Sequence, residues 1–459
     1  MTAPHDLIVR NGLVVTPGGT TRLDVAVREG RISALLEPGT AAHAADEIDA
    51  TGLHVIPGGV DTHTHIAWPY DGTTTVDDWY TATRAAVLGG TTTVIDFVPP
   101  DETNTLPQRC GARVEEADAS AVVDFGFHPI LTPLDARTPE DIGKVIADGF
   151  TSFKMYTTYE DRRVDDGAAW NLMRIISDYG GLPGFHAENH EILEAALRDQ
   201  VESGRLTVED YPESRPGLAE AETIQMVCLY ASRLGTPVYI FHVSGSDALS
   251  AVRAARRQGV RVLAETCTHY LCLDDTVFRG DDAWRYVISP PIRKPADRDD
   301  LWSAVADGTV ISVGSDHCAY AESAKRAWPQ DHRQIPAGAP GIEARTPMLW
   351  TEAARRGLSH AEFVAVSAER AARALGLYPR KGSVQVGADA DLVLWDADRT
   401  WDASMLLPAS TETFSLYRGQ SGVGLPRHVL VRGELAVRDA TFVGVKGSGR
   451  FLRRGTQRP

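Results

Sequence analysis

The run PGGVDTHTHI sets His63 and His65 two residues apart. In an extended strand, residues i and i+2 point to one side, so both imidazoles can face a common metal ion. Imidazole combined with carboxylate suits zinc, and also manganese, cobalt or iron(II). A lone His-x-His is a weak motif. Further apolar, β-branched runs close on matching chemistry: Lys154 in TSFKMY, His186 in LPGFHAEN, His242 in PVYIFHVS and Asp316 in TVISVGSDH.

Lys154 is the unusual member of this set. A bare ammonium beside dications is repelled and poorly solvated. One alternative is a lysine that snorkels to the rim or pairs with a carboxylate. The other is that its neutral amine adds CO2, giving an anionic carbamate whose oxygens can bridge two metals about 3.5–4 Å apart that activate one water.

Such distant side chains need a scaffold that gathers them. The middle of the chain alternates β-branched apolar runs with helical stretches such as DDWYTATRAAVLGG, PEDIGKVIADG, NLMRIISDYGG, DALSAVRAARRQG and DRDDLWSAVADG. Repeated β-then-α units over roughly 300 residues fit a (β/α)8 TIM barrel, in which the C-terminal strand ends share one mouth. His63 and His65 are then expected to close strand 1, Lys154 strand 4, His186 strand 5, His242 strand 6 and Asp316 strand 8. A doubly wound open sheet is the competing α/β plan, but it needs a glycine-rich phosphate loop after its first strand, which this sequence lacks. Both ends of the chain read as short strands around Asn-Gly, Glu-Gly and Arg-Gly turns. The expected domains are a small β-sandwich from residues 1–56 and 378–445, a barrel over 57–377 and a tail at 446–459.

The chain has 459 residues, 43% of them hydrophobic, enough for a large core and a satellite domain. Its formal net charge of −16 argues against nucleic acid and anionic lipid as partners. The five scattered cysteines form no disulfide framework and read as small buried hydrophobes in a reducing compartment. The start of the chain lacks a basic-then-apolar signal design, and no apolar run reaches the ~18 residues of a membrane span. A cytoplasmic protein is expected.

The full pattern is similar to the dihydropyrimidinase/hydantoinase branch of the amidohydrolase superfamily. PGGVDTHTHI, SFKMYTTY, FHAEN, FHVSG, ETCTHYL, SPPIR, GSDHCAY and IPAGAPGIE carry the likeness, which runs over nearly the whole chain. The resemblance implies two divalent metal ions, zinc foremost. His63, His65 and Asp316 would hold the first, His186 and His242 the second, and Lys154 as the carbamate would bridge them. It also implies that Tyr159 polarises the scissile carbonyl and that Ser289 receives the substrate's imide edge through its main chain. Ala337 stands where the family usually has asparagine, and Thr157-Thr158 where many relatives carry Met-Ala. Trp68 and Tyr156, on loops beside the ligands, are candidates for a substrate wall or for ordinary loop packing. Tyr159 has rim packing as its alternative role. A homotetramer, or else a homodimer, is the implied assembly.

The implied reaction is hydrolysis of a hydantoin or dihydropyrimidine ring to an N-carbamoyl amino acid. Asp316 would take a proton from the attacking water and pass it to the departing amide nitrogen, unless it is a ligand only. Dihydroorotases typically carry arginine, and allantoinases asparagine, two residues after the second histidine; here Ala67 stands there, followed by Trp68-Pro69-Tyr70. Allantoinase or another cyclic-imide or lactam hydrolase remains the alternative. Collapsin response mediator proteins, non-catalytic scaffolds of the same fold, lose ligands that this chain retains. Among other histidines, His128 and His269 are expected behind the ligands, His317 to point away from them, His190 to begin a helix in solvent, and His5, His43, His332, His360 and His428 to lie at the surface. Substituent and enantiomer preference are expected to lie in loops 68–71 and 156–162.

Overall fold

The computed structural model describes residues 5–70, 73–328, 330–406 and 408–456. Asp71 of the expected specificity loop, residues 1–4 and the tail residues 457–459 lie outside the described residues. The middle of the chain is a (β/α)8 barrel. Its strands are β1 (Gly59–Thr64), β2 (Thr91–Val98), β3 (Asp124–Pro129), β4 (Ser152–Tyr156), β5 (Leu182–His186), β6 (Val238–Ile240), β7 (Val262–Cys267) and β8 (Val310–Gly314).

All neighbouring barrel strands pair in parallel, β1 to β3 in one ladder and β4 to β8 in another. Two seams close the ring. Ile130 bridges Lys154, with the Leu131 N–H donating to the Lys154 carbonyl at 2.9 Å. Thr64 bridges His317, with the His65 N–H donating to the His317 carbonyl at 2.7 Å. Strands covered on both faces read as unbroken apolar and β-branched runs; β2, TTTVIDFV, is buried at every position. Phe97, Tyr239 and Phe241 fill the interior beneath the mouth.

The helices start where local chemistry tells them to. Asp78 caps Trp79–Leu88 by accepting from the Thr81 N–H, and Thr81 Oγ1 accepts from the Asp78 N–H in return. Pro139 and Pro295 occupy first helical positions, where a missing N–H costs nothing. At the end of β8, a Cβ on Gly314 would lie 3.0 Å from His63 Cβ, so glycine lets β8 close against the β1 histidine.

The strands of the two chain ends hydrogen-bond into one sheet, in the order Thr441–Phe442, Glu434–Arg438, Ser421–Val431, Leu392–Asp402, His54–Pro57, His5–Thr16, Gly19–Arg28 and Arg31–Leu36, with Ala44–Asp49 also pairing His5–Thr16. Val9, Val25, Leu392, Leu394 and Leu430 belong to its own hydrophobic cluster. The tail then runs under the barrel: the Leu452 N–H donates to the Phe125 carbonyl at 2.7 Å, and Arg454 Nη1 to Ser152 Oγ at 2.6 Å.

A buried ionic cluster ties sheet to barrel. Lys381 Nζ lies 2.6 Å from Asp124 at the start of β3, 2.7 Å from Asp391 and 3.0 Å from Asp389. Removing one partner from a buried ion cluster costs about 3–5 kcal/mol, since the remaining charges stay desolvated. Lys381→Met is therefore expected to lower the unfolding free energy by an amount of that order, read as a lower urea midpoint; an unchanged midpoint would show the cluster to be energetically neutral.

Candidate metal centre

The barrel delivers the expected donors to one mouth. His63, His65 and Asp316 each bring a ligand atom within 4.8 Å of the others. His63 Nε2 lies 3.0 Å and His65 Nε2 3.4 Å from the same oxygen, Asp316 Oδ1. Beside them, His186 Nδ1 faces His242 Nε2 at 2.9 Å, and the His63 and His242 ring centres are 5.3 Å apart. Lys154 Nζ reaches this group from within β4 rather than from its end, 3.1 Å from His63 Nε2. Its long side chain makes up the rung it sits below the rim.

The electrostatics favour a cation. His63 Nδ1 donates to Glu265 Oε1 at 2.7 Å, and His186 Nε2 to Glu188 Oε2 at 2.7 Å. Each bond leaves the other ring nitrogen bare toward the site. Burial pushes His65 down to about 3 and His186 to about 4, and takes His242 well below the ordinary imidazole value. On His63 burial acts the same way, but Asp316 and Glu265 outweigh it and raise the pKa. Burial also opposes charge on Asp316, yet His63 and His65 hold its carboxyl well below the usual range. Bare lone pairs and a carboxylate oxygen crowded within 3.5 Å repel one another unless a proton or cation lies between them. The buried His65 Nδ1 has no hydrogen-bond partner among the described residues. This donor set fits divalent metal ions.

Lys154 is buried, with its ammonium 4.1 Å from the Phe97 ring centre, 4.8 Å from that of Tyr156 and 5.0 Å from that of Phe241. Burial lowers its pKa to about 8. Above the donors a cavity of about 290 Å³ is lined by Lys154, Trp68, Tyr156, Tyr159, Ser289 and Ala337, which brings every expected substrate residue to one space. Burial raises the Tyr159 pKa, so its hydroxyl keeps its proton, and Arg215 Nη2 approaches it at 3.4 Å. Tyr211 and Ser289 hydroxyls pair at 2.7 Å.

Residues 54–447 match the Amidohydrolase family. The chain belongs to the amidohydrolase family. Within it, the likeness is to hydantoinases and dihydropyrimidinases. A D-hydantoinase of Ralstonia pickettii is 36% identical over 98% of this chain and 99% of its own. A D-hydantoinase of Geobacillus stearothermophilus is 34% identical over 97% of this chain and 96% of its own. The crystal structure of dihydropyrimidinase from Brevibacillus agri NCHU1002 superposes with a TM-score of 0.94 at 34% identity, over 98% of this chain and 99% of that one.

The geometry adds residues to this amidohydrolase that the sequence patterns did not single out. Glu265, inside β7, binds His63 Nδ1 and accepts from Tyr239 OH at 2.7 Å and from Thr62 Oγ1. Glu188 holds His186 and is itself held by Arg215, whose Nε lies 3.1 Å away. Glu188 had a signal: it lies two residues after His186, in the same run FHAEN. Glu265 had none beyond a lone charge in an apolar strand.

Several other histidines differ from expectation. His190 begins the helix His190–Ser203 but is partly buried and pairs with Glu160 at 2.8 Å, because loop 157–163 folds over it. His332 is buried against Gln200 Oε1 at 3.1 Å, and His428 is buried within the sheet strand Ser421–Val431. His360 stacks on Trp350 at 4.9 Å, and His5 Nδ1 lies 3.0 Å from Ser33 Oγ, so neither is a bare surface group. His43 is exposed. His128 is buried beneath the site, with Nδ1 3.0 Å or less from a neighbour, at 2.7 Å from Ser152 Oγ. His269 approaches Asp316 together with Cys267 within 4.8 Å, and His317 turns to Asp77 at 3.2 Å. Of the cysteines, Cys272 is only partly buried and Cys318 lines the cavity.

Loss of a hydrogen bond that orients a metal-binding imidazole typically costs 10–100-fold in metal affinity. Glu265→Gln is expected to weaken metal binding by about that factor, read by competition with a chelator; unchanged affinity would show that Glu265 does not position His63.

Proposed function

We propose that this amidohydrolase opens a cyclic amide or imide ring at its C–N bond, turning a hydantoin or dihydropyrimidine into an N-carbamoyl amino acid. Two divalent cations, zinc foremost, would be held by His63, His65 and Asp316 on one side and His186 and His242 on the other. Lys154 would join this set as a carbamate, formed when its neutral amine adds CO2 and releases a proton. The observation that carries this reading is Lys154 itself: a buried amine 3.1 Å from His63 Nε2, packed among the Phe97, Tyr156 and Phe241 rings in surroundings that oppose a charged ammonium. Carbamylation would turn that poorly solvated amine into an anionic oxygen ligand.

The ions would supply an activated water and polarise the scissile carbonyl. The chain's own groups do the rest. Tyr159, kept protonated, donates its O–H to the oxygen that gains charge in the transition state, and Arg215 orients that hydroxyl. Asp316 accepts the proton of the attacking water and delivers it to the departing amide nitrogen. The Ser289 and Ala337 main chains hold the imide edge, so the missing asparagine side chain at 337 costs nothing if the contact is through backbone. Trp68 and Tyr156, both buried, wall off bulk water. The reading includes a homotetramer or homodimer in the cytoplasm; the free cysteines fit a reducing compartment. Among the described residues, no helix is long and apolar enough to cross a membrane.

Lys154→Ala is expected to leave well under one metal per chain and to abolish ring opening, followed by loss of ring absorbance on metal-loaded protein. Full metal content with normal turnover refutes the carbamate. Asp316→Asn should retain part of the metal and lose about 10²–10⁴-fold in kcat, the range of a general acid–base group; near-normal kcat removes Asp316 from proton transfer.

A further inference from the structure

We propose that Arg162 makes this enzyme select rings whose exocyclic substituent carries a carboxylate. The inference rests on the ring-opening reaction proposed above and names its substrate class. Outside the donor cluster, Arg162 is the only charged side chain lining the cavity among the described residues. The wall around it is aromatic: its guanidinium carbon lies 5.8 Å from the ring centres of both Tyr156 and Tyr159. With the ring amide at the donors and the imide edge at Ser289 and Ala337, the lining left for a substituent includes Trp68, Tyr70, Tyr156, Tyr320 and Arg162, of which Arg162 alone carries a charge.

Arg162 is held there by the backbone. The Arg162 and Arg163 N–H groups donate to the Tyr159 carbonyl at 3.0 and 2.9 Å, and the Val164 N–H to the Tyr156 carbonyl at 2.8 Å. The turn is thus clamped to the end of β4, and Tyr159 takes a φ of 71° to make it. A cation fixed before the ligand arrives loses less freedom on binding.

Its partner does not cancel it. Asp161 takes Nε and Nη2 at 2.9 and 2.5 Å through one oxygen, Oδ2, which leaves further guanidinium N–H groups for a ligand. Asp161 is 64% exposed and lies outside the cavity lining, so water screens its hold on Arg162. Glu160, the next acid, is engaged by His190 at 2.8 Å and Arg163 at 3.4 Å. A carboxylate inside the cavity is less hydrated than Asp161 and meets the planar fork that guanidinium offers.

The test compares kcat/KM for 5-(2-carboxyethyl)hydantoin with that for its neutral isostere 5-(2-carbamoylethyl)hydantoin, on metal-loaded enzyme. The acid is expected to be preferred by about tenfold at low salt, the worth of one charged hydrogen bond. Arg162→Gln should bring the ratio to about one, while Arg162→Lys, which keeps the charge, should retain a preference for the acid. A ratio at or below one in the unsubstituted enzyme, or one unchanged by Arg162→Gln, overturns the assignment. Plain hydantoin serves as control: if it is not opened, the proposed reaction fails, and the Kd ratio of the same pair, measured by calorimetry without turnover, decides the Arg162 assignment by the same criteria.

Discussion

The carboxylate of Glu265 joins three barrel strands beneath the mouth. One oxygen takes His63 Nδ1 of β1; the other takes Tyr239 OH of β6 and Thr62 Oγ1 of β1. A carboxylate in an apolar interior persists only when its lone pairs are filled. These partners fill them, and in doing so they set the His63 tautomer. Asp61, one layer away, is less completely matched: its Oδ1 accepts from the Ser315 N–H at 3.0 Å and the His63 N–H at 3.2 Å, with Arg345 3.9 Å distant, while its Oδ2 has no hydrogen-bond partner among the described residues. The first and last barrel strands are therefore latched by a buried acid next to the residues that carry the chemistry. Such groups add little net stability against an apolar core, but removing one partner leaves a stranded charge. Their effect is to admit one arrangement of the donors.

The rim pays for that arrangement in backbone strain. His242, Asp316 and Tyr159 have φ of 38°, 49° and 71°, a region that favours glycine. Each such residue costs about 1–3 kcal/mol. Glycine would relieve the strain but remove the imidazole, the carboxylate or the phenol. The surrounding hydrogen bonds hold the chain instead: the Val243 N–H donates to the Glu265 carbonyl at 2.7 Å, and the His317 N–H to Ser315 Oγ at 3.2 Å. Side chains turned off the strand axis in this way face a common point from strands too far apart to touch directly.

Much of this was legible in the order of residues. β-branched runs buried on both faces marked the barrel strands, and helices such as Trp79–Leu88, Pro139–Ala147 and Pro295–Ala306 fell on the helical stretches DDWYTATRAAVLGG, PEDIGKVIADG and DRDDLWSAVADG. His63 and His65 were readable because strand periodicity puts i and i+2 on one side. Lys154 was readable as a charge in an apolar run, although its place within β4 rather than at its end follows from side-chain length, which periodicity does not encode. Glu265 and the Lys381 cluster were not readable, because their partners lie on elements far away in sequence. The same limit explains His332 and His428: a histidine without companions in the chain can still be enclosed by loops and sheet that only the tertiary fold brings over it.

The overall charge and the site act on the reaction in opposite directions. A net charge of −16 repels anions at long range, but screening confines exposed charges to about 8 Å at physiological salt. Inside the cavity, low-dielectric walls make near charges dominate. A neutral ring enters against no field, and its opening creates a carboxylate that the surface then helps to expel. Arg162 changes this balance for one class of ring. It draws a substituent carboxylate to the wall, but it also holds the dianionic product, so selectivity for acidic rings is bought with slower release. Arg162 keeps a side-chain exposure of 27%, so water still reaches the guanidinium and competes for a bound carboxylate.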